Sequence, residues 1–251
     1  MSSIFNSKLR CLMLVACIVP GLATARPNIH IPHGLYFGTS AAITSNKINN
    51  RFEFDPLEIE DAYLYFRNQY ASNTQVQPGF LLGYEYMLSH NWMVSGEFQF
   101  NFLPSYVSVG GSDFHENMFT TNNQYALQLR LGKGLTPDDN FIYLLIGVAR
   151  TTTDAKIVFD NTNLTEGTLG DLQLGTVDKS QDLTGLKLGV GYEKRINQDY
   201  AIRFDYSHTQ YGTFKTDLND PIFADIFPEP MGTSTVSQST DMLGISLLFL
   251  T

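Results

Sequence analysis

Charged residues at alternate positions are the part of this sequence whose chemistry is most informative. Lys187 and Glu193 lie in the first half of the segment Leu183–Tyr211, and Arg203 and Asp205 lie in its second half, on the same parity. The opposite parity is largely apolar in both halves. Because successive side chains of a β-strand point to opposite faces, the segment predicts a hairpin with one apolar face and one charged face. Ion pairing between the two strands is the chemistry that such a charged face offers.

The polar residues Arg195–Asp199 form the predicted turn of this hairpin. If Lys194 lies opposite Tyr200, oppositely charged side chains become diagonal neighbours within reach of one another. We therefore predict two ion pairs, Glu193–Arg203 and Lys187–Asp205.

Three further charged residues lie on the corresponding polar face of the preceding alternating segments. Glu85 and Glu97 lie close across a second hairpin, where two buried carboxylates would be costly without a cation. Arg130, on the next strand, is the candidate cation. The complete predicted network consists of Glu85, Glu97, Arg130, Lys187, Glu193, Arg203 and Asp205.

Catalysis requires a nucleophile and a base on the same face, and the sequence offers one adjacent pair. Ser207 and His208 are neighbours in a predicted strand, so their side chains point to opposite faces and cannot act together. Two acidic segments, Phe52–Asp61 and Asp217–Glu229, could bind divalent cations or a host partner, but their irregular spacing matches no calcium loop. The remaining histidines fit neither a Ser-His-Asp arrangement nor a metal site: His30, His33, His90 and His115. We predict no catalytic residues, no bound metal and no cofactor.

The start of the 251-residue chain predicts export. Lys8 and Arg10 precede an apolar run that ends in small residues, which predicts a signal peptide over residues 1–25, cleaved after Ala25. Lipid attachment at Cys17 is the alternative. Both cysteines lie in this signal, so the exported chain contains no disulfide. The formal net charge of −9 argues against a nucleic-acid partner.

Alternating segments recur eight times along the chain, each about as long as a tilted membrane-spanning strand. They are Gly34–Thr44, Gln75–Leu88, Trp92–Phe102, Gln124–Leu131, Phe141–Thr153, Leu183–Lys194, Tyr200–Tyr211 and Asp241–Thr251. Short connections alternate with long ones, which are predicted over Ser45–Thr74, Pro104–Asn122, Asp154–Asp182 and Gly212–Ser239. This layout predicts an all-β fold over residues 26–251: an eight-stranded antiparallel up-and-down transmembrane β-barrel with short periplasmic turns and four long extracellular loops. A soluble β-sandwich is the alternative.

In such a barrel the apolar parity faces lipid, and the charged parity faces an interior that eight strands leave narrow. The charged network is then a plug of ion pairs, and a gated narrow conduit or proton path is the alternative. In Phe141–Thr153, where the alternation is weak, we predict that Gly147 faces inward and that Ile142, Leu144, Ile146 and Val148 face outward. Aromatic residues flank the short turns and predict an interfacial girdle: Tyr86, Trp92, Tyr192 and Tyr200.

Two units of the sequence repeat one pattern. Gly83-Tyr84-Glu85 is followed by Glu97-Phe98, and Gly191-Tyr192-Glu193 is followed by Asp205-Tyr206. These strand–turn–strand units resemble those of the OmpA-like, opacity-type family of small outer-membrane barrels. The resemblance implies an eight-stranded barrel with a role in envelope integrity, surface adhesion or immune exposure, and rarely catalysis. Family barrels usually end in an aromatic residue that the assembly machinery reads, whereas here Phe249 precedes Leu250-Thr251.

The sequence thus predicts a non-enzymatic protein of the bacterial outer membrane with a structural and surface-interaction role. A narrow small-solute channel is the first alternative, and a lipid A-modifying barrel enzyme is the second. The expected partners are outer-membrane lipids and lipopolysaccharide, the barrel-assembly machinery, and a host or surface ligand held by the loops.

Overall fold

The computed structural model describes residues 34–54, 69–102, 105–109, 115–136, 140–159, 176–217 and 232–251. Nine β-strands make up nearly all of this part: β1 (Gly34–Phe54), β2 (Gln69–Leu88), β3 (Trp92–Asn101), β4 (Ser105–Val109), β5 (His115–Thr136), β6 (Asn140–Phe159), β7 (Thr176–Arg195), β8 (Tyr200–Asp217) and β9 (Gly232–Leu250). In these ranges no helix has the length and hydropathy of a membrane span. The predicted signal peptide, residues 1–25, and the alternative lipid attachment at Cys17 lie outside the described residues.

The strands form a closed ring. Hydrogen-bonded neighbours follow the order β3-β2-β1-β9-β8-β7-β6-β5, and a further pairing between β3 and β5 closes the ring. β3 pairs with Gln124–Lys133 of β5, and β4, which follows β3 along the chain, pairs with Asn117–Thr121 of the same strand. β3 and β4 are therefore two pieces of one strand of the ring. Every pairing between neighbours is antiparallel. The predicted eight-stranded up-and-down barrel is therefore confirmed.

The outer wall carries an apolar belt next to the short turns. On β6, Ile142 and Leu144 are 48% and 64% exposed, and Ile146 and Val148 are exposed on the same side, which confirms the predicted facing of this strand. In lipid, this exposed apolar surface is what a stable barrel presents. The belt ends, on the side away from the short turns, at Ile43 on β1, Val148 on β6, Leu186 on β7, Tyr206 on β8 and Leu243 on β9. We call the strand residues beyond this edge the extension.

The strands continue well beyond the belt. The ladder between β1 and β2 reaches Asn50 opposite Gln69, and the ladder between β6 and β7 reaches Val158 opposite Thr176. The long connections predicted from the sequence are therefore too long, because much of each one is strand: Ser45–Thr74, Pro104–Asn122, Asp154–Asp182 and Gly212–Ser239. Outside the lipid, the outer face of a strand meets water, so the contrast between apolar and polar positions fades.

The extension is split into two sheets by two seams. Gln69–Gln77 of β2 pairs with β1 alone, and β4 pairs with β5 alone, so no ladder joins β2 to β4. In the same way Thr176–Thr184 of β7 pairs only with β6, and Thr213–Asp217 of β8 pairs only with β9. The described extension therefore consists of the sheets β2-β1-β9-β8 and β4-β5-β6-β7, and the seams are β2/β4 and β7/β8.

Each seam begins at a local irregularity. The register of β8 against β9 shifts between Gln210 and Thr213, at the point where β8 leaves β7. An extra residue in one strand bends that strand and increases its twist, which turns β8 away from its neighbour. At the β2/β4 seam, Pro78 lies where the ladder stops, and its ring nitrogen has no hydrogen to donate.

In the described residues, side-chain hydrogen bonds cross both seams. Asn73 of β2 donates from Nδ2 to the carbonyl oxygen of Tyr106 on β4, at 2.6 Å. Lys179 of β7 donates from Nζ to the carbonyl oxygen of Lys215 on β8, also at 2.6 Å. These side-chain bonds link the two sheets at both edges, where the ladders are missing.

An apolar layer lies between the two sheets of the extension. Ile48 and Val236 come from one sheet, Val107 and Phe119 come from the other, and all four are at most 2% exposed. Burial of such side chains supplies the main stabilisation of a two-sheet arrangement. The complete apolar layer is Ile48, Ala71, Val107, Phe119, Ala126, Ala149, Ala155, Leu183, Tyr211, Phe214 and Val236.

Candidate functional site: a charged network inside the barrel

The register between β7 and β8 brings the predicted charges closer together than the sequence suggested. Glu193 lies directly opposite Arg203, and Lys194 lies opposite Ile202 rather than Tyr200. The predicted register is therefore wrong, because the turn is shorter than assumed. Asn197 closes it by accepting hydrogen bonds at Oδ1 from two backbone N–H groups, at 2.9 and 2.8 Å. Arg195 consequently belongs to β7.

Four charged side chains form a cycle of alternating sign in the interior. Arg203 contacts Glu97 at 2.5 Å and Glu193 at 3.1 Å. Arg130 contacts the same two carboxylates, at 3.4 Å to Glu97 and 3.3 Å to Glu193. All four side chains are at most 1% exposed. Each charge therefore has two partners of opposite sign, which is the arrangement that buried charges require.

A second contact extends this cycle towards the short turns. Arg195 pairs with Glu85 and lies 3.7 Å from the second oxygen of Glu193. The sequence predicted Arg130 as the cation for both Glu85 and Glu97, but Arg130 pairs only with the latter. Sequence reasoning missed Arg195 because it was assigned to the turn, although its parity with Glu193 was the available signal. We refer to the residues of these contacts as the ion network: Glu85, Glu97, Arg130, Glu193, Arg195 and Arg203.

The predicted Lys187–Asp205 ion pair is wrong within the described residues. Lys187 lies opposite Thr209, whereas Asp205 lies opposite Gly191, which separates the backbone positions of the two residues by about 13 Å along the strands. Lys187 instead donates to the side-chain oxygen of Gln99 at 2.6 Å. Asp205 accepts a hydrogen bond from the hydroxyl of Tyr143.

Two tyrosines that the sequence reasoning missed connect the network to the walls. Tyr36 lies opposite Gly83, which lies opposite Glu97, so three strands form one row. The Tyr36 hydroxyl reaches across the glycine and donates to Glu97 at 2.8 Å. A Cβ at Gly83 would lie 2.1 Å from that hydroxyl oxygen, so the glycine leaves the space that the ring occupies.

The same row occurs on the other side of the barrel. Tyr143 lies opposite Gly191, which lies opposite Asp205. The Tyr143 hydroxyl donates to Asp205, and a Cβ at Gly191 would lie 2.2 Å from the tyrosine ring. The glycine and acid of the repeated sequence unit thus have a structural role, and the matching tyrosine lies on the preceding strand of the ring.

The two tyrosine rings also flank the arginines. The Arg130 guanidinium lies 5.2 Å from the ring centroids of both Tyr36 and Tyr143. The Arg203 guanidinium lies 5.4 Å from the first centroid and 5.9 Å from the second. Cation–π contacts of this length stabilise desolvated guanidinium groups. The two arginines are therefore fixed both by carboxylates and by aromatic faces.

Amide and hydroxyl side chains fill the interior beyond the ion network and among the residues of the apolar layer. Gln128 donates to Glu97 at 2.6 Å, and Asn101 donates to Gln124 at 2.8 Å. Thr153 donates to Gln238 at 2.7 Å. These side chains are buried, so the described lumen is packed with polar side chains beyond the ion network, and Gln238 lies opposite Ile48 of the apolar layer.

The predicted aromatic girdle lies on the outer wall at the end with the short turns. Tyr86, Trp92 and Tyr200 are 53%, 41% and 40% exposed. Tyr192 is partly buried and donates from its hydroxyl to Asn140 at 2.6 Å. Phe249 joins the same level, with its ring 5.4 Å from that of Tyr200. This placement suits an interfacial belt, and contact with lipid headgroups stays a prediction.

The best catalytic candidates from the sequence lie on opposite sides of the wall. Ser207 is 1% exposed in the interior, whereas His208 is on the outer wall with Nδ1 2.8 Å from Asp241. Among the described residues no group of three or more His, Cys, Asp or Glu side chains could hold a metal ion. The acidic segments Phe52–Asp61 and Asp217–Glu229 lie almost entirely outside the described residues.

The fold and this interior define a small transmembrane β-barrel. The chain belongs to the family described as outer membrane protein beta-barrel domain, whose profile matches residues 11–226. It is similar to the outer membrane protein OprG from Pseudomonas aeruginosa, with 16% identity, a TM-score of 0.53, and coverage of 90% of this chain and 100% of that chain. This likeness supports the fold, and the family places the protein in the bacterial outer membrane.

Two further solved structures show weaker likeness. Ail, the attachment invasion locus protein of Yersinia pestis, is 16% identical with a TM-score of 0.36, covering 87% of this chain and 100% of that chain. The outer membrane protease OmpT from Escherichia coli is 8% identical with a TM-score of 0.45, covering 90% of this chain and 99% of that chain. A search of curated proteins found no match.

Proposed function

We propose that this protein is a non-conducting outer-membrane barrel that presents its extension and loops to the cell exterior as an interaction surface. The observation that carries the proposal is the cycle formed by Glu97, Arg130, Glu193 and Arg203 across the lumen. A barrel of eight strands has room only for side chains, and here those side chains are bonded to one another.

The buried charges support a sealed state rather than a conduit. The ion network contains three arginines and three glutamates, and the buried Lys187 and the partly buried Asp205 add one charge of each sign. Breaking one such pair leaves an uncompensated charge in a low-dielectric interior, which costs several kcal/mol. A path for ions would require several of these contacts to open together.

The extension supports the surface role. The two sheets, with an apolar layer between them, form a rigid platform. It extends about 20 Å beyond the belt, which is the rise of about eight residues in a tilted strand. Functional residues concentrate on loops that a rigid scaffold positions. A host or surface ligand that binds the loops between these strands is part of the proposal.

The proposal includes no catalytic role, because Ser207 and His208 act on opposite sides of the wall and have different partners. A change in the mass of lipid A after incubation with the purified protein would support the enzymatic alternative instead. We further propose that export uses a signal peptide cleaved after Ala25 and that the assembly machinery reads Phe249 on the last strand.

Planar-bilayer recording of the purified wild-type protein tests the sealed state. We expect no steady conductance, because the charge cycle fills the lumen. A large porin inserted under the same conditions is the positive control for membrane quality. Steady openings of the wild type that disappear when Arg203 or Glu193 is replaced would overturn the plug and favour the narrow channel.

A further inference from the structure

We propose that a groove on the outer wall of the barrel binds one acyl chain of lipopolysaccharide, whose polar part is held at the outer edge of the belt. The groove has a volume of about 620 Å³, within the roughly 300–1,000 Å³ of small-molecule sites. The side chains that line it are mostly apolar. The proposal goes beyond the surface role, because it concerns the lipid-facing wall and not the loops.

Two cross-strand rows of outward side chains form the sides of the groove. Between these rows, Tyr143 and Asp205 are bonded to each other inside the barrel, so the floor of the groove is main chain. The ladders between β6, β7 and β8 satisfy the N–H and C=O groups of this floor. The sides are Ile142, Tyr192 and Phe204 in one row, and Leu144, Val190 and Tyr206 in the other.

The groove crosses the belt obliquely. It begins at Trp92, in the girdle beside the short turns, and ends at Leu243, at the outer edge of the belt on β9. Five steps between neighbouring strands, at about 4.8 Å each, make it about 24 Å long on the wall. Because the strands are tilted by about 40°, a row perpendicular to them descends through the membrane. A flexible acyl chain can follow this path from the outer interface inward.

The end beside the short turns is occupied by a cation that already has its contacts. Lys133 lines the groove there and donates from Nζ to the carbonyl oxygen of His90. The same ammonium lies 5.1 Å from the ring centroid of Trp92. The opposite end, at Tyr206 and Leu243, is therefore where we place the polar part of the lipid.

A polar cluster lies at this outer end. The Tyr206 hydroxyl, at the rim of the groove, donates to Oδ1 of Asp241 at 2.9 Å, and His208 Nδ1 lies 2.8 Å from the same oxygen. Lys47 contacts the other oxygen of this carboxylate at 2.5 Å. We call these residues the rim cluster: Lys47, Tyr206, His208 and Asp241.

The rim cluster suits the polar part of a lipid rather than an isolated ion. The charges of Lys47 and Asp241 balance each other, and both His208 and Asp241 lie two residues beyond the belt edge on their strands. The side chains of Lys47 and His208 are 32% and 44% exposed, so both can make further hydrogen bonds. Hydroxyl, amide and phosphate groups lie at the junction between the saccharide and the acyl chains of lipopolysaccharide, and they are partners of this kind.

Packing, and not the hydrophobic effect, favours an acyl chain in the groove. A chain that leaves the surrounding lipid was already in an apolar environment, so burial alone gains little. The groove adds van der Waals contacts from its floor and both sides, which are individually weak and collectively large. The hydrogen bonds of the rim cluster then select the lipid that carries the chain.

Native mass spectrometry of the full-length protein, extracted in a mild detergent and supplied with lipopolysaccharide, tests the groove. We expect one lipopolysaccharide molecule to stay bound to the wild type. Val190→Trp should fill the groove and lower the bound fraction at least about fivefold. The matched control is Leu82→Trp, because Leu82 is 55% exposed on the outer wall, Val190 is 51% exposed, and Leu82 is not part of the groove. Unchanged heat-modifiable mobility verifies that each variant is folded.

The double variant Lys47→Gln, Asp241→Asn tests the rim cluster separately. It removes one charge of each sign and leaves the sides of the groove intact. We expect the preference for lipopolysaccharide over a phospholipid of the same chain length to fall at least about twofold, because hydrogen bonds to charged groups are lost. Retention of the phospholipid should stay unchanged.

Three outcomes would contradict the proposal. Equal retention of lipopolysaccharide by Val190→Trp and Leu82→Trp would exclude the groove as the site. Equal retention of lipopolysaccharide and phospholipid by the wild type would exclude lipopolysaccharide as the preferred occupant. An unchanged preference in the double variant would exclude the rim cluster as the group that selects the lipid. The surface role would stand in each case, because it depends on the loops.

Discussion

Replacing Arg203 with glutamine is expected to lower the free energy of unfolding by about 3–5 kcal/mol. Arg203 contacts both Glu97 and Glu193, so its loss leaves two buried carboxylates that share Arg130, with Arg195 3.7 Å from Glu193 as a further cation near them. Unfolding in urea can be followed through the fluorescence of Trp92, because the chain contains one tryptophan. We expect the midpoint of unfolding to fall while the dependence on urea concentration stays unchanged.

The double variant Glu193→Gln, Arg203→Gln separates charge balance from packing. It removes one charge of each sign, so we expect it to be more stable than Arg203→Gln alone. The exposed pair supplies the control, since Arg150→Gln should cost less than about 1 kcal/mol. If Arg203→Gln were as stable as this control, the charge cycle would not exist in the folded barrel.

Much of this interior was predictable from the sequence because parity alone decides which face of a strand a side chain occupies. Glu193 and Arg203 were identified as partners in this way, even with the wrong register. The contacts across the lumen were not predictable, because Arg130 meets Glu193 from a strand that is not its neighbour along the chain. Such contacts depend on the curvature and closure of the ring, which no local pattern encodes.

Tyr36 and Tyr143 were overlooked for a different reason. Sequence reasoning searched the inward positions for charges, whereas these tyrosines are neutral and act through a hydroxyl and an aromatic face. A signal was present, because Gly83 and Gly191 precede an acid at the same spacing in both units. A glycine in a strand interior marks a close approach by another group, here the tyrosine ring of the adjacent strand.

Replacing Phe119 with alanine is expected to cost about 3–5 kcal/mol, which is typical of a buried phenylalanine that leaves a cavity. Phe119 is completely buried in the apolar layer between the two sheets of the extension. Because the extension lies outside the lipid, we expect the loss of stability to be confined to the extension and the belt to stay folded. Limited proteolysis of cells or proteoliposomes should therefore cut the variant within the extension and leave a protected membrane fragment.

Tyr106→Ala is the matched control for this experiment. Tyr106 is 50% exposed on the same strand piece as Val107, and its role at the seam uses a backbone oxygen that alanine retains. We expect its proteolysis pattern to match the wild type. A Phe119→Ala protein as resistant as this control would contradict the two-sheet packing of the extension.

The extension is also where sequence reasoning was weakest. The segments assigned to loops contain strands whose outward residues are largely polar, and whose inward residues include hydroxylated side chains such as Ser234 and Thr240 beside apolar ones such as Ile48. In this barrel the strict alternation of apolar and polar residues depends on an outer face that meets lipid, so it ends at the belt. Beyond the belt, the strands are stabilised by pairing with neighbouring strands and by the buried layer around Ile48 and Phe119.

Cysteine labelling on intact cells tests the central claim, that the extension lies outside a barrel whose short turns face the periplasm. Single cysteines at Lys215 and Gln198, in a background with Cys11 and Cys17 replaced by serine, report on the two ends. A membrane-impermeant maleimide should label Lys215→Cys on intact cells and Gln198→Cys only after the outer membrane is permeabilised. Labelling of Gln198→Cys but not Lys215→Cys on intact cells, or recovery of both in the soluble fraction, would contradict this orientation of the barrel.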